Sequence, residues 1–144
     1  MIPNNENYED EELEYDFNIE SGPSLTYAMK INKDETKDNI FVGKIDDVEA
    51  VRQAILKIIN TERYEHEIYS WDYGIELQDL FGMDMPYVMS EVKKRITEAL
   101  TVDDRIESVD NFTVERVGNN ILHCIFTVTT VQGDEIEIER EVEV

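Results

Sequence analysis

The apolar positions between Asp46 and Asn60 recur every three or four residues, which is the spacing of one buried helix face. The stripe consists of Val48, Val51, Ile55, Ile58 and Ile59. Asp46 is placed to cap the first turn, and Glu49 three residues later completes the arrangement of a capping box. The pattern therefore predicts a helix that ends at Asn60.

Two further helices are predicted after this one. A short helix is expected over Ile75–Leu80, ending at Gly82. A longer helix begins near Asp84 with Pro86 in its first turn, where the missing N–H costs nothing. Its buried line is formed by Val88, Val92, Ile96 and Leu100. The helical part of the chain is therefore expected to end near residue 100.

From Arg105 onward the apolar positions change to a period of two, which predicts strands. A first strand precedes a hairpin turn at residues 118–120. Residues 121–131 are apolar or β-branched on both faces, as expected of a central strand. After a turn at 132–134, the last strand has an apolar face and a glutamate face, the latter made of Glu135, Glu137, Glu139, Glu141 and Glu143.

The region before the first helix divides into an acidic arm and a hairpin. Residues 1–20 hold eight carboxylates and no lysine or arginine, so residues 1–22 are expected to form an extended N-terminal arm that a partner orders or that docks on its own domain. Leu25–Ile31 and Ile40–Ile45 are typical of a hairpin. Residues 23–144 are then expected to make one α+β domain, with helices packed on one face of a mostly antiparallel sheet and a C-terminal β-hairpin.

The net charge of −21 over 144 residues constrains the class of partner. A field of this sign repels phosphate backbones and anionic lipid, so binding of nucleic acid or of a membrane surface is disfavoured. No run approaches the roughly 20 apolar residues that cross a bilayer, and no signal-peptide pattern is present. The chain is expected to be made in the cytoplasm. Its charge suits a basic protein partner, although solubility alone would also account for it.

Motifs for catalysis or ligand binding are missing from the sequence. Cys124 lies in an apolar run and is expected in the core, and one cysteine with the distant His66 and His123 does not make a zinc site. Neither a glycine-rich phosphate loop nor a nucleophile elbow is present. Glu62 and Asp72 could be nominated as a glycosidase pair, but spacing among 34 carboxylates carries little information. The sequence predicts no enzyme activity, no cofactor, no metal and no small-molecule substrate.

The segment after the first helix is the most informative part of the chain. Arg63 is the only basic residue between Lys57 and Lys93, and its planar fork could stack on a ring or clamp a carboxylate. Four aromatic rings fall within ten residues here, those of Tyr64, Tyr69, Trp71 and Tyr73. The loop is expected either to close the core or to expose part of its surface as an interface.

The order of these pieces resembles the baseplate wedge proteins of contractile phage tails, in particular the XkdS-like branch of PBSX-type prophage elements, a family historically labelled lysozyme-like. The resemblance covers roughly residues 25–144, and the run Tyr69–Leu77 is especially similar to that branch. The shared order is a helix ending in Thr61-Glu62-Arg63, an aromatic connector with Tyr73-Gly74, a small helix ending in Leu80-Phe81-Gly82, a long helix and a β-hairpin.

The resemblance implies a structural role in the inner, sheath-proximal wedge of a tail baseplate, and hence a location in a phage or phage-like particle. The implied partners are the other wedge proteins and the tail sheath protein. Glu62 and Arg63 are adjacent here, where many relatives carry a Glu-Pro-Arg triplet. With the aromatic segment, the candidate contact residues are Thr61, Glu62, Arg63, Tyr69, Trp71, Asp72, Tyr73 and Gly74.

The last predicted strand offers a second candidate contact. Its outer edge is expected to be open, and glutamates along such an edge discourage self-pairing while they permit addition of a strand from a more basic partner. Glu137, Glu139 and Glu141 are therefore candidates for templating the sheath. Two other functions stay open on sequence alone: an acidic binding or inhibitor protein that neutralises a basic partner, and a tail-associated muralytic enzyme.

Overall fold

A computed structural model describes residues 24–29 and 41–144. The acidic arm predicted over residues 1–22 lies outside these residues. The elements in chain order are β1 (Thr26–Met29), β2 (Phe41–Ile45), α1 (Asp47–Ile59), a 3₁₀ turn (Gln78–Leu80), α2 (Met85–Leu100), β3 (Ile106–Arg116), β4 (Ile121–Thr130) and β5 (Glu135–Glu143).

The described strands form two antiparallel sheets. β1 pairs with β2, and β4 lies between β3 and β5 in a three-stranded sheet. α1 contacts α2, and α2 contacts β3, so that both helices share one buried apolar cluster with the inner face of this sheet. The predicted α+β class and the hairpin near the C-terminus are confirmed.

The core holds residues of β4 that the sequence placed in a central strand. Phe126 is fully buried and stacks on Phe112 of β3, with ring centroids 5.2 Å apart. Cys124 is also fully buried, and this burial raises the pKa of its thiol to about 11. The predicted core position of Cys124 is confirmed, and its thiolate is disfavoured at neutral pH.

α1 forms where predicted, but its cap differs from the predicted box. The carboxylate of Asp46 accepts a hydrogen bond from the N–H of Asp47 at 2.8 Å, and the hydroxyl of Ser24 donates to the same oxygen. Both bonds lower the pKa of the Asp46 carboxyl group, and the bond from Ser24 has the larger effect. Asp46 is the N-cap of α1, as predicted, but no hydrogen bond within the described residues joins it to Glu49, so the predicted capping box is incomplete.

The predicted helix over Ile75–Leu80 is reduced to the 3₁₀ turn at its end. Ile75 lies in a backbone bridge instead, since its N–H donates to the carbonyl of Thr61 at 2.9 Å and its carbonyl accepts from Arg63 N–H at 3.0 Å. Backbone groups that are bonded in this way are not free to begin a helix. The bridge is therefore the reason that the prediction was wrong.

β3 contains two irregularities that the sequence analysis did not predict. Its register with β4 shifts between Ile106 and Ser108 and again between Asp110 and Thr113, and Asn111 in the second shift has a φ of 54°. In a regular strand, side chains on the same face are two positions apart. A spacing of three therefore means that the strand contains one additional residue, which forms a bulge. The inward side chains of β3 follow that spacing twice, and they are Ile106, Val109, Phe112 and Val114.

Candidate interaction surfaces

The aromatic loop, residues 60–77, is closed by the residues that end α1. The hydroxyl of Thr61 donates to the carbonyl of Lys57 at 2.7 Å. One carboxylate oxygen of Glu62 accepts from the N–H groups of Leu77 and Gln78, at 2.9 and 3.1 Å. Glu62 therefore supplies the acceptor that the backbone of the outgoing chain requires before the 3₁₀ turn.

Arg63 and Gly74 complete this closure. The Nε and Nη2 atoms of Arg63 donate to the carbonyl of Gly74 at 3.2 and 3.0 Å. Gly74 is buried with a φ of 95°, and a Cβ built on it would lie 2.6 Å from the carbonyl oxygen of Thr61. Only glycine permits this approach of the two backbones, so Gly74 determines the shape of the loop.

Tyr69 and Tyr73 form the inward side of the aromatic loop. Their rings stack with centroids 4.3 Å apart, and the ammonium group of Lys57 on α1 lies 5.2 Å from the Tyr69 centroid. Both tyrosines are half-buried, and burial raises the pKa of Tyr73 to about 12. Of these two predicted contact residues, Tyr69 therefore attaches the loop to α1, and Tyr73 packs against the buried core.

The outward side of the aromatic loop is apolar and exposed. Trp71 is 76% exposed, and Tyr64 and Ile68 are 67% and 86% exposed. Asp72 is half-buried and accepts a hydrogen bond from the Ser70 hydroxyl at 2.6 Å. Because large apolar side chains exposed together are found at interaction sites, this segment is a candidate contact surface. Of the predicted loop residues, Trp71 presents the largest free surface, and Tyr64 and Ile68 add to it.

A second exposed apolar group escaped the sequence analysis. It lies between the 3₁₀ turn and the first turns of α2 and consists of Phe81, Met83 and Tyr87. Tyr87 is an aromatic residue of α2 beside the buried line and not on it, and this was the signal that could have identified it, whereas Phe81 and Met83 precede the helix.

Removal of the Glu62 carboxylate is expected to destabilise the aromatic loop. Glu62→Ala leaves the N–H groups of Leu77 and Gln78 without their acceptor and should lower the free energy of unfolding by about 1–3 kcal/mol. Glu62→Gln retains an acceptor oxygen and should lose less. Urea unfolding followed by circular dichroism measures both. Equal stability of the three proteins would mean that this carboxylate is not required to hold the loop.

The ladder between β4 and β5 determines which backbone groups of β5 face outward. The N–H of Val144 donates to the carbonyl of Asn120 at 2.8 Å, and that of Thr130 donates to Asp134 at 2.9 Å. In both bonds the residue of each strand has an even number. The pairing of β4 with β5 has no register shift between these two ends of the ladder. Hydrogen-bonded pairs alternate with non-bonded pairs in an antiparallel ladder. The N–H and C=O groups of the odd-numbered residues of β5 therefore point away from β4.

Every outward-facing residue of β5 is a glutamate with an exposed side chain. Among hydrogen bonds within residues 24–29 and 41–144, one reaches this edge, from Nη1 of Arg52 to the carbonyl of Glu137 at 3.0 Å. On the exposed face of the sheet, the carboxylate of Glu139 lies 2.6 Å from Nε2 of His123 on β4. The predicted residues Glu137, Glu139 and Glu141 thus share one edge and one face.

Arg140 is a residue of this edge that the sequence analysis passed over. It occupies an inward register position between Ile138 and Val142, both of which are buried, and it pairs with Cys124 of β4. The signal was present in the sequence, since Arg140 is the one charged residue among the apolar positions of the last strand.

The two carboxylates that could be nominated as a glycosidase pair both serve the aromatic loop. Glu62 accepts from backbone N–H groups and Asp72 from Ser70. Over residues 24–29 and 41–144, no three His, Cys, Asp or Glu side chains are grouped to hold a metal ion. In the same residues no helix has the length and apolar character needed to cross a membrane.

Comparison with known proteins identifies the family. A family model described as contractile injection system sheath initiator matches residues 25–133, which include the aromatic loop, both helices, β3 and β4. The chain is 35% identical over 136 residues to the phage-like element PBSX protein XkdS of Bacillus subtilis (strain 168), covering 92% of this chain and 90% of that protein. The predicted resemblance is confirmed, and the chain belongs to the sheath initiator family of contractile injection systems.

Proposed function

We propose that this chain starts sheath assembly by offering the open edge of β5 to a strand of the tail sheath protein. The observation that carries this proposal is the regular outward row of glutamate backbone groups, to which the part of the chain that the structure describes makes one hydrogen bond, from Arg52 to the Glu137 carbonyl. Such a row is a template for strand addition. The proposal needs no catalytic step and no cofactor.

The contrast between the two edges of the sheet supports the choice of β5. β3 forms the other edge and carries two bulges, which interrupt the row of outward groups and twist the strand. β5 pairs with β4 over nine consecutive residues without a shift. An added strand therefore meets a row of evenly spaced backbone groups along β5, in which the Glu137 carbonyl already accepts from Arg52, and an irregular row along β3.

A second part of the proposal concerns the other baseplate proteins. We place the chain in the inner wedge of the baseplate, next to the sheath, with the outward side of the aromatic loop against a neighbouring wedge protein. Trp71 and Asp72 touch that neighbour in this proposal. The loop is held in shape for this contact by Thr61, Glu62, Arg63, Tyr69, Tyr73 and Gly74.

Charge reversal on β5 tests the role of the edge. The triple variant Glu137→Lys, Glu139→Lys and Glu141→Lys should reduce the number of sheathed tails several-fold, because it repels a basic strand. Tails are counted by electron microscopy in a deletion strain that expresses the variant, and thermal unfolding checks the fold. The matched control makes the same charge change on β3, with Glu107→Lys, Asp110→Lys and Glu115→Lys. Normal sheath assembly with the β5 variant would contradict the proposal.

A proline at an outward position of β5 distinguishes the contribution of the backbone N–H from that of the glutamate charge. Glu141→Pro removes an N–H that does not bond to β4, so the ladder inside the sheet is retained while strand addition is blocked. Glu141→Ala removes the same charge and keeps the N–H. We expect the proline variant to lose sheath assembly and the alanine variant to keep most of it. Equal activity of the two would mean that the edge is not used as a template.

A further inference from the structure

Arg140 is placed unusually for a charged side chain. Its register directs it to the inner face of the sheet, and Nη1 is shielded from solvent without a hydrogen-bond partner among the described residues. Burial lowers the pKa of its guanidinium, which is opposed by the field of Glu62. A buried donor on a charged group is costly when it is left unpaired. An aliphatic residue would fill this position at lower cost.

Glu62 does not supply the missing partner. One of its oxygens accepts from Leu77 and Gln78, and the ion pairs formed among the described residues do not include Arg140 with Glu62. Among the described residues Arg140 therefore forms no ion pair, and the outer edge of its strand receives one hydrogen bond from them, that from Arg52.

The geometry of strand addition brings a new side chain to Arg140. Even-numbered residues of β5 direct their backbone groups to β4, so an antiparallel strand on the outer edge would face Arg140 in a non-hydrogen-bonded pair. Opposed Cα atoms in such pairs are about 4.5 Å apart, and their side chains lie on the same face. The side chain opposite Arg140 would thus lie on the inner face, beside the guanidinium.

The opposite face imposes a different requirement. The glutamates at 139 and 141 direct their side chains to the exposed face, so the residues opposite them meet negative charge. We propose that the strand added to β5 carries a carboxylate opposite Arg140 and lysine or arginine opposite Glu139 and Glu141. This inference rests on the proposed strand addition and specifies the chemistry of the partner strand.

Two synthetic peptides test this pattern against the full-length chain. The first is acetyl-Lys-Val-Lys-Glu-Lys-Val-Lys-amide, which reads the same in both directions, and the second has glutamine in place of its glutamate. Because the protein carries a charge of −21, long-range attraction alone favours the second peptide, which is more positive. We expect the first to bind roughly tenfold more tightly, the size of one charge-assisted hydrogen bond. Fluorescence anisotropy of labelled peptide measures both affinities.

Variants of Arg140 test whether this residue causes the preference for the glutamate peptide over the glutamine peptide. Arg140→Met should reverse the order of the two peptides, whereas Arg140→Lys should retain a weaker preference for the glutamate peptide. Arg116→Met, an exposed arginine on β3, serves as the matched control and should leave the preference unchanged. A preference for the glutamate peptide that survives in Arg140→Met would overturn the inference.

Amide hydrogen exchange distinguishes failure of this inference from failure of strand addition. Binding on the edge should slow exchange at the N–H groups of Glu139 and Glu141. If both peptides slow this exchange with equal affinity, the inference about Arg140 is wrong and strand addition stands. If neither peptide slows exchange on β5 at millimolar concentration, strand addition to this edge is wrong and the inference fails with it.

Discussion

Phe126→Ala should lower the free energy of unfolding by about 3–5 kcal/mol, the range for truncation of a buried aromatic side chain. Phe126 is fully buried at the centre of β4 and stacks on Phe112 at 5.2 Å. Its removal leaves a cavity between the sheet and the helices, and the surrounding residues fill such a space only in part. The loss is measured by urea unfolding with circular dichroism, because the exposed Trp71 is a poor fluorescence probe of the core.

Phe81 provides the control for this prediction. Its ring is 56% exposed, so Phe81→Ala should change the free energy of unfolding by only about 0.5 kcal/mol. A loss below about 1 kcal/mol for Phe126→Ala would contradict the described core. Sheath assembly that fails in Phe81→Ala while the fold is intact would instead identify Phe81 as part of a contact surface.

Gly74→Ala is expected to lower the free energy of unfolding by about 2–4 kcal/mol. The added Cβ would approach the carbonyl oxygen of Thr61 to 2.6 Å and Arg63 N to 3.3 Å, and the residue would retain a φ near 95°. Since both obstacles are backbone atoms, the loop must open to accept the methyl group. The change therefore acts on the Thr61–Ile75 and Arg63–Ile75 bonds as well as on Gly74 itself.

Gly133 is a matched control for the backbone strain in this prediction. It has a similar φ of 92°, but a Cβ built on it meets nothing within 4 Å. Gly133→Ala should therefore lose only about 1 kcal/mol, the cost of the left-handed conformation for an ordinary residue. If the two alanine variants are equally stable, close contact with Thr61 does not determine the shape of the loop.

The helices were predictable because their stripes are long and regular. Val51, Ile55 and Ile59 of α1 and Val92, Ile96 and Leu100 of α2 follow a helical spacing without interruption, and all six are buried. Their burial against the sheet stabilises the elements that the pattern predicts. The fold class followed from these stripes together with the period of two after Arg105.

The errors occurred where a distant residue determines the local structure. Ser24, 22 positions earlier in the chain, donates a hydrogen bond to the Asp46 carboxylate, and Thr61 pairs with Ile75 across the aromatic loop. No pattern within a short window reports such a pairing. The bulges of β3 are not errors of this type, because they could have been predicted locally. The spacing of Ile106, Val109 and Phe112 was visible in the sequence and does not fit a regular strand.

The sequence predicted which segments of the chain form candidate surfaces, but for the aromatic loop it did not predict which side chains point outward. The aromatic loop was identified correctly as unusual, but its sequence does not reveal that Tyr69 and Tyr73 turn inward while Trp71 turns outward. That division follows from the closure by Glu62, Arg63 and Gly74. For β5 the alternation of glutamates was sufficient to predict the exposed face, because a strand has only two faces.

The two edges of the three-stranded sheet differ, because β3 has two bulges and β5 has none. In the proposed role, strand addition takes place at β5, whereas the two bulges of β3 disfavour addition at the other edge of the sheet. Pairing of two copies of this chain through their β5 edges would place one row of glutamates against another, which like charge opposes. In the proposed role, this repulsion disfavours pairing of two copies through β5 and leaves that edge to a strand of the tail sheath protein.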